Sequence, residues 1–380
     1  MGSGRVTATL AALALLSFVL GSVHAFSVLV EPLTKRFGAS TASVSAIYSL
    51  ALVSITAMVT LGHRFYCRTS AAALVATLVL VATTGVLIAG HAGSLALLWL
   101  GYGVLFGTAN GAGYGYALQL SAQVTPGREG LAMGAITAAY ALGATLFPIA
   151  FDHALQRGDF TTAMHTLAIG IGGCGVPVVL MLAWSGARFR TTGARAGQNM
   201  VRRPEILLLW LAYGAAVLAG LMTIGHAVGI ARAQGLAPAL LVTAPMVIAI
   251  CNMAGSLAGG WLADRIGARW LLTGLPLLSA AALVLLALKI EPSVLAMLGI
   301  IGLVYGAVIS VYPAVIARRF GVAAGVPIYG KVFTAWAAAG ICGPILAGAL
   351  FDVSGSFAVA LMIGAFLSLS SSAIALRMTS

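Results

Sequence analysis

Twelve long apolar runs, separated by short polar punctuation, constrain this chain more than any other feature. They cover residues 8–30, 43–62, 70–90, 94–120, 130–151, 161–185, 204–230, 237–262, 270–289, 293–317, 324–351 and 355–376. About 20 apolar residues in a helix cross the hydrocarbon of a bilayer. Each run is about that long or longer, so each predicts a transmembrane helix. Of 380 residues, 61% are hydrophobic and 7% charged, whereas soluble domains carry about 25% charged residues. The expected class is an all-α integral membrane protein.

The first run needs a separate decision. Arg5, an apolar stretch and Val23-His24-Ala25 together imitate a cleaved secretory signal. The stretch from 8 to 30 is nevertheless long enough to span, and its removal would leave an odd number of helices. It is read as the first transmembrane helix. Cys67, Cys174, Cys251 and Cys342 are scattered, with no metal-ligand spacing and no disulfide framework. No metal or other cofactor is expected.

The net charge of +12 does not point to nucleic acid, because no basic run is interleaved with aromatics. It sorts by side. With the N-terminus inside, inner segments hold fourteen basic residues: Arg5, Arg64, Arg68, Arg128, Arg188, Arg190, Arg195, Arg202, Arg203, Arg265, Arg269, Arg318, Arg319 and Arg377. Outer segments hold five: Lys35, Arg36, Arg157, Arg232 and Lys289. The positive-inside rule then places both termini in the cytoplasm, with the chain multi-pass in the inner (plasma) membrane.

The chain also repeats. Met133–Pro148, MGAITAAYALGATLFP, aligns without gaps on Tyr329–Pro344, YGKVFTAWAAAGICGP. Tyr140 meets Trp336 and Pro148 meets Pro344. His24-Ala25 near the end of run 1 matches His226-Ala227 in run 7, and Phe151-Asp152 matches Phe351-Asp352. The domains are therefore an N-terminal six-helix bundle (1–185), a basic, polar cytoplasmic linker (186–203) and a C-terminal six-helix bundle (204–380). Two parallel, pseudo-symmetric six-helix repeats are the plan of a rocking transporter with its site between the halves.

Lys331 is the one lysine or arginine well inside an apolar run. A charge there costs about 2.5–3.5 kcal/mol on insertion scales, which makes it a site candidate. The alternative is a lysine that snorkels to the interface. No aspartate or glutamate lies deep in a run, which favours an anionic or neutral substrate over a cationic one. Phosphate-binding loops, zinc-protease motifs, nucleophile elbows and paired catalytic carboxylates are absent. The chain is not expected to be an enzyme.

Gly260–Arg269, GWLADRIGAR, lies between runs 8 and 9 and resembles the signature loop of the major facilitator superfamily. Gly260, Asp264, Arg265, Gly267 and Arg269 carry that likeness and imply a gating loop. The first-half counterpart, GHRFYCR at 62–68, lacks the aspartate. Gly111–Gly134, Tyr305-Gly306 and the Tyr329–Pro344 segment resemble the oxalate/formate antiporter and monocarboxylate transporter branch. The resemblance implies the major facilitator fold and carriage of small carboxylates. In the oxalate exchanger of that branch, the helix 11 lysine aligns here with Trp336, and helix 8 here has no interior arginine. One carboxylate on one cation therefore fits better than a dianion held by two.

In this superfamily helices 1, 4, 7 and 10 line the path, so the resemblance places His24 and His226 near it. A histidine there can bind a carboxylate or carry a coupled proton; it can equally be a packed, hydrogen-bonded side chain. Asn110 and Tyr114, four apart, share a helix face. Tyr140 and Trp336 are repeat-related aromatics suited to the wall of a small-acid site. With Lys331 these form the expected substrate-binding set. Asn252, Tyr305 and Tyr312 are weaker candidates. The expected function is secondary active transport of a small organic anion, a monocarboxylate, by alternating access. A coupled proton or exchanged anion would drive it, in a monomer embedded in lipid. Efflux of a neutral or hydrophobic molecule is the alternative, and a non-transporting membrane sensor the remote one.

Overall fold

The computed structural model describes residues 2–190, 203–237, 240–263, 265–266, 268–289, 293–320 and 322–379. Among them, twelve helices are long and apolar enough to cross a membrane. They are α1 (Ser3–Val28), α2 (Ser43–Leu61), α3 (Ala71–Gly90), α4 (Leu95–Val124), α5 (Glu129–Arg157), α6 (Phe160–Ser185), α7 (Pro204–Gly225), α8 (Thr243–Ala263), α9 (Arg269–Ala287), α10 (Val294–Phe320), α11 (Ile328–Ser354) and α12 (Ala358–Met378). Every run expected from the sequence corresponds to one of them. Short helices, Val30–Phe37 and Ala227–Ala233, follow α1 and α7.

The helix boundaries follow local chemistry. Ser70 and Ser94 accept hydrogen bonds from the backbone amides of Ala73 (3.2 Å) and Leu97 (3.3 Å) at the starts of α3 and α4. Asp159 and Thr162 form a reciprocal capping box at the start of α6, satisfying amides that have no intrahelical partner. Gly186, at φ 64°, ends α6 in the left-handed conformation that glycine adopts without steric cost.

The chain divides into two compact units, Met1–Thr192 and Gly193–Ser380. In unit 1, α1 packs on α4, α5 and α6, and α3 packs on α6. The first helix is thus an integral part of its bundle. Leu13, Leu16, Val75, Val86, Leu167 and Ile171 are almost fully buried. In unit 2, residues of α7, α8, α9, α10 and α12, among them Ala219, Ile248, Leu283, Ile301 and Leu361, form one core cluster. Large apolar side chains also point outward: Ile169 is 75% exposed and Phe366 69%. An apolar exterior on this scale is a lipid-facing surface rather than a water-facing one.

Glycine lets backbones touch between the second and fourth helices of each unit. A Cβ on Gly111 of α4 would strike the Ile55 carbonyl of α2. A Cβ on Gly306 of α10 would strike the Asn252 carbonyl of α8. Gly107 stands in the same way against Ala51, and Gly302 against Ile248. Small residues at such crossings are what allow close helix packing in lipid. They also give a register: Gly107 and Gly111 in unit 1 correspond to Gly302 and Gly306 in unit 2.

Candidate functional site

Four residues of the expected set meet inside unit 1. His24 lies where α1 tightens into a 3-10 winding over Gly21–Val28. Its Nδ1 is 2.7 Å from the Tyr48 hydroxyl of α2. Its ring stands edge-on to Tyr140 of α5, with centroids 5.6 Å apart. Tyr140 donates its hydroxyl to Asn110 Oδ1 at 3.0 Å, and Asn110 Nδ2 donates to the Leu20 carbonyl at 2.6 Å. Asn110 therefore ties α4 both to α5 and to α1 at the point where the winding changes. The Tyr114 ring lies 4.9 Å from Tyr140, and its hydroxyl is 3.2 Å from Thr137 Oγ1. Because Thr137 donates to the Met133 carbonyl, the Tyr114 hydroxyl is the donor in that pair.

The cluster is a chain of hydrogen-bond donors and acceptors on four helices in an otherwise apolar bundle. Such groups are buried only when satisfied, and this network satisfies them mutually. Asn110 and Tyr114 do share a face, as their spacing requires. Tyr48 and Thr137 were not singled out from the sequence. A lone tyrosine or threonine in an apolar run carries no mark of a partner on another helix.

Unit 2 holds the repeat-related counterpart. Trp336 of α11 donates its indole N–H to the Tyr305 hydroxyl of α10 at 2.8 Å, both side chains being buried. By the glycine register Asn110 corresponds to Tyr305, and by the repeat Tyr140 corresponds to Trp336. The same helix pair is thus joined at this position in each unit by a buried polar contact built from different side chains. Phe333 stacks on Trp336 at 5.3 Å.

His226 does not occupy the counterpart of the His24 position. Its Nε2 donates to the Pro344 carbonyl at 2.8 Å, and its ring packs 5.4 Å from Phe357. Pro344 lies eight residues beyond Trp336 in the sequence, about 12 Å along a helix. The cause is local. Unit 1 continues past Gly21 in a tightened 3-10 winding, whereas α7 stops at Gly225 and a new short helix begins at Ala227. The sequence match of the two histidines is not a match of environment.

Lys331 is exposed on unit 2. It is five residues from Trp336, roughly 140° around the helix, so it does not join the Trp336–Tyr305 pair. Its carbonyl accepts from Thr334 Oγ1 at 2.7 Å, and Thr334 in turn accepts from Trp210 Nε1 at 2.8 Å.

Of the expected gating loop, Asp264 and Gly267 lie outside the described residues. Gly260 is buried in α8, Arg269 is exposed, and Arg265 stacks on the Trp261 ring at 4.0 Å. The two arginines that end α10, counted in the sequence among the inner-side charges, also make specific contacts. Arg318 donates to the Ala263 carbonyl at the end of α8, a favourable place for a cation at a helix C-terminus. Arg319 pairs with Glu205 at 2.5 Å and reaches the Met378 carbonyl at 3.3 Å. They bind the ends of α7, α8 and α12 to α10. The loop 62–68 has its own anchor: buried Tyr66 donates to the Ala112 carbonyl at 3.1 Å.

The sequence profile of the Major Facilitator Superfamily matches residues 10–326. An uncharacterized MFS-type transporter of Escherichia coli (strain K12), YhjX, is 26% identical over 337 residues, covering 86% of this chain and 83% of that protein. The oxalate:formate antiporter of Oxalobacter formigenes is 24% identical over 354 residues, covering 89% and 83%. Among solved structures, the proton:xylose symporter XylE bound to 6-bromo-6-deoxy-D-glucose superimposes with a TM-score of 0.75 at 12% identity, covering 98% of this chain and 95% of that one. The human organic anion transporter MFSD10 (TETRAN) gives 0.75 at 14% identity, covering 99% and 100%. These two show the shared fold. With twelve membrane-length helices and a profile match over most of its length, the chain belongs to the Major Facilitator Superfamily of transporters.

Proposed function

We propose that this protein is a secondary active transporter of a small organic anion, a monocarboxylate, working by alternating access in the inner membrane with both termini cytoplasmic. One observation carries the reading. The polar side chains deep in the described spans present N–H and O–H groups, and no carboxylate lies among them. His24, Tyr48, Tyr140 and Trp336 are all donor types, with Tyr140 and Trp336 engaged here by Asn110 and Tyr305. The acids sit at or near span ends: Asp152 close to the end of α5, Asp159 just before α6, and Asp352 close to the end of α11. Such an interior suits an anion, whose charge is stabilised by donors in a medium of low dielectric. The similarity to an oxalate:formate antiporter supports the same substrate class.

In this reading Lys331 supplies the one cation that a single carboxylate needs, and His24 takes up the coupled proton. Gly260, Asp264, Arg265, Gly267 and Arg269 act on the rocking equilibrium rather than on the ligand. Replacing Lys331 by methionine is expected to reduce carboxylate uptake about tenfold or more, as for loss of a charge-assisted contact worth about 1.5–3 kcal/mol. Arginine is expected to restore it only in part, since a planar fork needs different room from a compact ammonium. Uptake above half of wild type in Lys331→Met, at equal expression, would remove the lysine from the site.

A further inference from the structure

At the end of unit 1 opposite Ser3, the C-terminus of α3 meets the first turns of α6. Thr161 donates to the Gly90 carbonyl at 2.9 Å. Arg36 arrives from the short helix after α1 and donates to both Thr161 Oγ1 (3.2 Å) and the Ala92 carbonyl (3.3 Å). Within this tied junction His91 and His165 face each other, with ring centroids 5.0 Å apart and planes at 43°. Both side chains are exposed. Neither histidine belongs to the polar cluster of α1, α2, α4 and α5.

We propose that His91 and His165 form a two-histidine site for a divalent first-row transition-metal ion of the zinc class. Three observations converge. First, His91 Nδ1 lies 3.0 Å from the Leu87 carbonyl. A carbonyl only accepts, so Nδ1 carries the proton and the Nε2 lone pair is left open. A backbone carbonyl on the other ring nitrogen is the usual device that orients a metal-binding imidazole. Second, two imidazoles bound to one ion at about 2.0–2.1 Å, with a bond angle near 90–110°, place their ring centroids about 4.5–5.2 Å apart. The observed separation falls inside that interval. Third, the two rings come from different helices whose backbones are already fixed to each other, so little ordering is needed on binding.

The local charge is compatible with a cation. The charge of the Arg36 guanidinium nearby is felt by Asp159. The Thr162 backbone amide, chiefly, holds that carboxyl below its ordinary range, and Arg36 adds to the effect. Water would fill the remaining coordination positions. Imidazole ligands suit zinc, nickel and copper and are poor for magnesium. A bound ion would link α3 to α6 and stiffen this end of unit 1.

Calorimetric titration of tag-free protein in detergent tests the site, with Zn²⁺ as probe and Mg²⁺ as control. One equivalent of Zn²⁺ is expected to bind and to raise the unfolding temperature, while Mg²⁺ does neither. His91→Ala and His165→Ala are each expected to weaken Zn²⁺ binding about tenfold or more. His91→Gln and His165→Gln serve if an alanine variant fails to fold. Absence of Zn²⁺ binding in the wild type overturns the proposal. So does unchanged affinity in either histidine variant, because the ion would then sit elsewhere.

Discussion

Replacing His24 by glutamine is expected to lower maximal carboxylate uptake by about ten- to a hundredfold, the equivalent of roughly 1.5–3 kcal/mol for a hydrogen bond to a charged group. Glutamine keeps a polar head of similar reach toward Tyr48, so the bundle should remain folded. It cannot take up a proton. If His24 carries the coupled proton, the variant also loses the pH dependence of uptake. Tyr48→Phe should be milder, since it removes one partner of the histidine and leaves the imidazole. Uptake rate and pH profile both equal to wild type in His24→Gln would mean that the histidine only packs.

The largest effect on stability is expected at the glycine crossings. In Gly306→Ala the new methyl meets the Asn252 carbonyl and Oδ1, and backbone on a neighbouring helix cannot swing aside as a flexible side chain can. Overpacking of this kind costs about 1–3 kcal/mol. At roughly 2–4 °C per kcal/mol for a large domain, the unfolding temperature should fall by several degrees. Gly111→Ala, against the Ile55 backbone, should behave alike in unit 1. Gly274 is the control: it is exposed in α9 with nothing within 4 Å of an added Cβ. Alanine there should be neutral or gain about 0.5–1 kcal/mol from helix propensity. Gly306→Ala unfolding at the wild-type temperature would show that α8 and α10 do not cross so closely.

How much was legible in the sequence differs between the fold and the site. Lipid imposes one long apolar run per crossing, so the number and order of helices could be read directly, down to α1 being a span. The shared face of Asn110 and Tyr114 on α4 was also legible, because their i, i+4 spacing fixes it. What could not be read was contact between helices. Tyr48 reaches His24 across two helices, and a tyrosine in a run of aliphatic residues gives no sign of that. His226 looked equivalent to His24 because the His-Ala pair repeats, yet a helix break at Gly225 gives it a different neighbour. Hydropathy places Lys331 within a run but does not say which way its side chain faces. Arg318 and Arg319 looked like topology charges, but their carbonyl contacts also make them fasteners of helix ends.

Counterflow in sealed proteoliposomes tests most directly that this is a secondary carrier of a small organic anion. Vesicles free of nucleotide and preloaded with an unlabelled monocarboxylate such as formate, acetate, lactate or pyruvate should transiently accumulate the labelled form of a transported acid. Oxalate should serve poorly, since this reading gives the site one cation, Lys331, for one carboxylate. Accumulation of at least one monocarboxylate, abolished in Lys331→Met, is the predicted result. No accumulation of any acid by protein that moves a neutral or hydrophobic compound would contradict it.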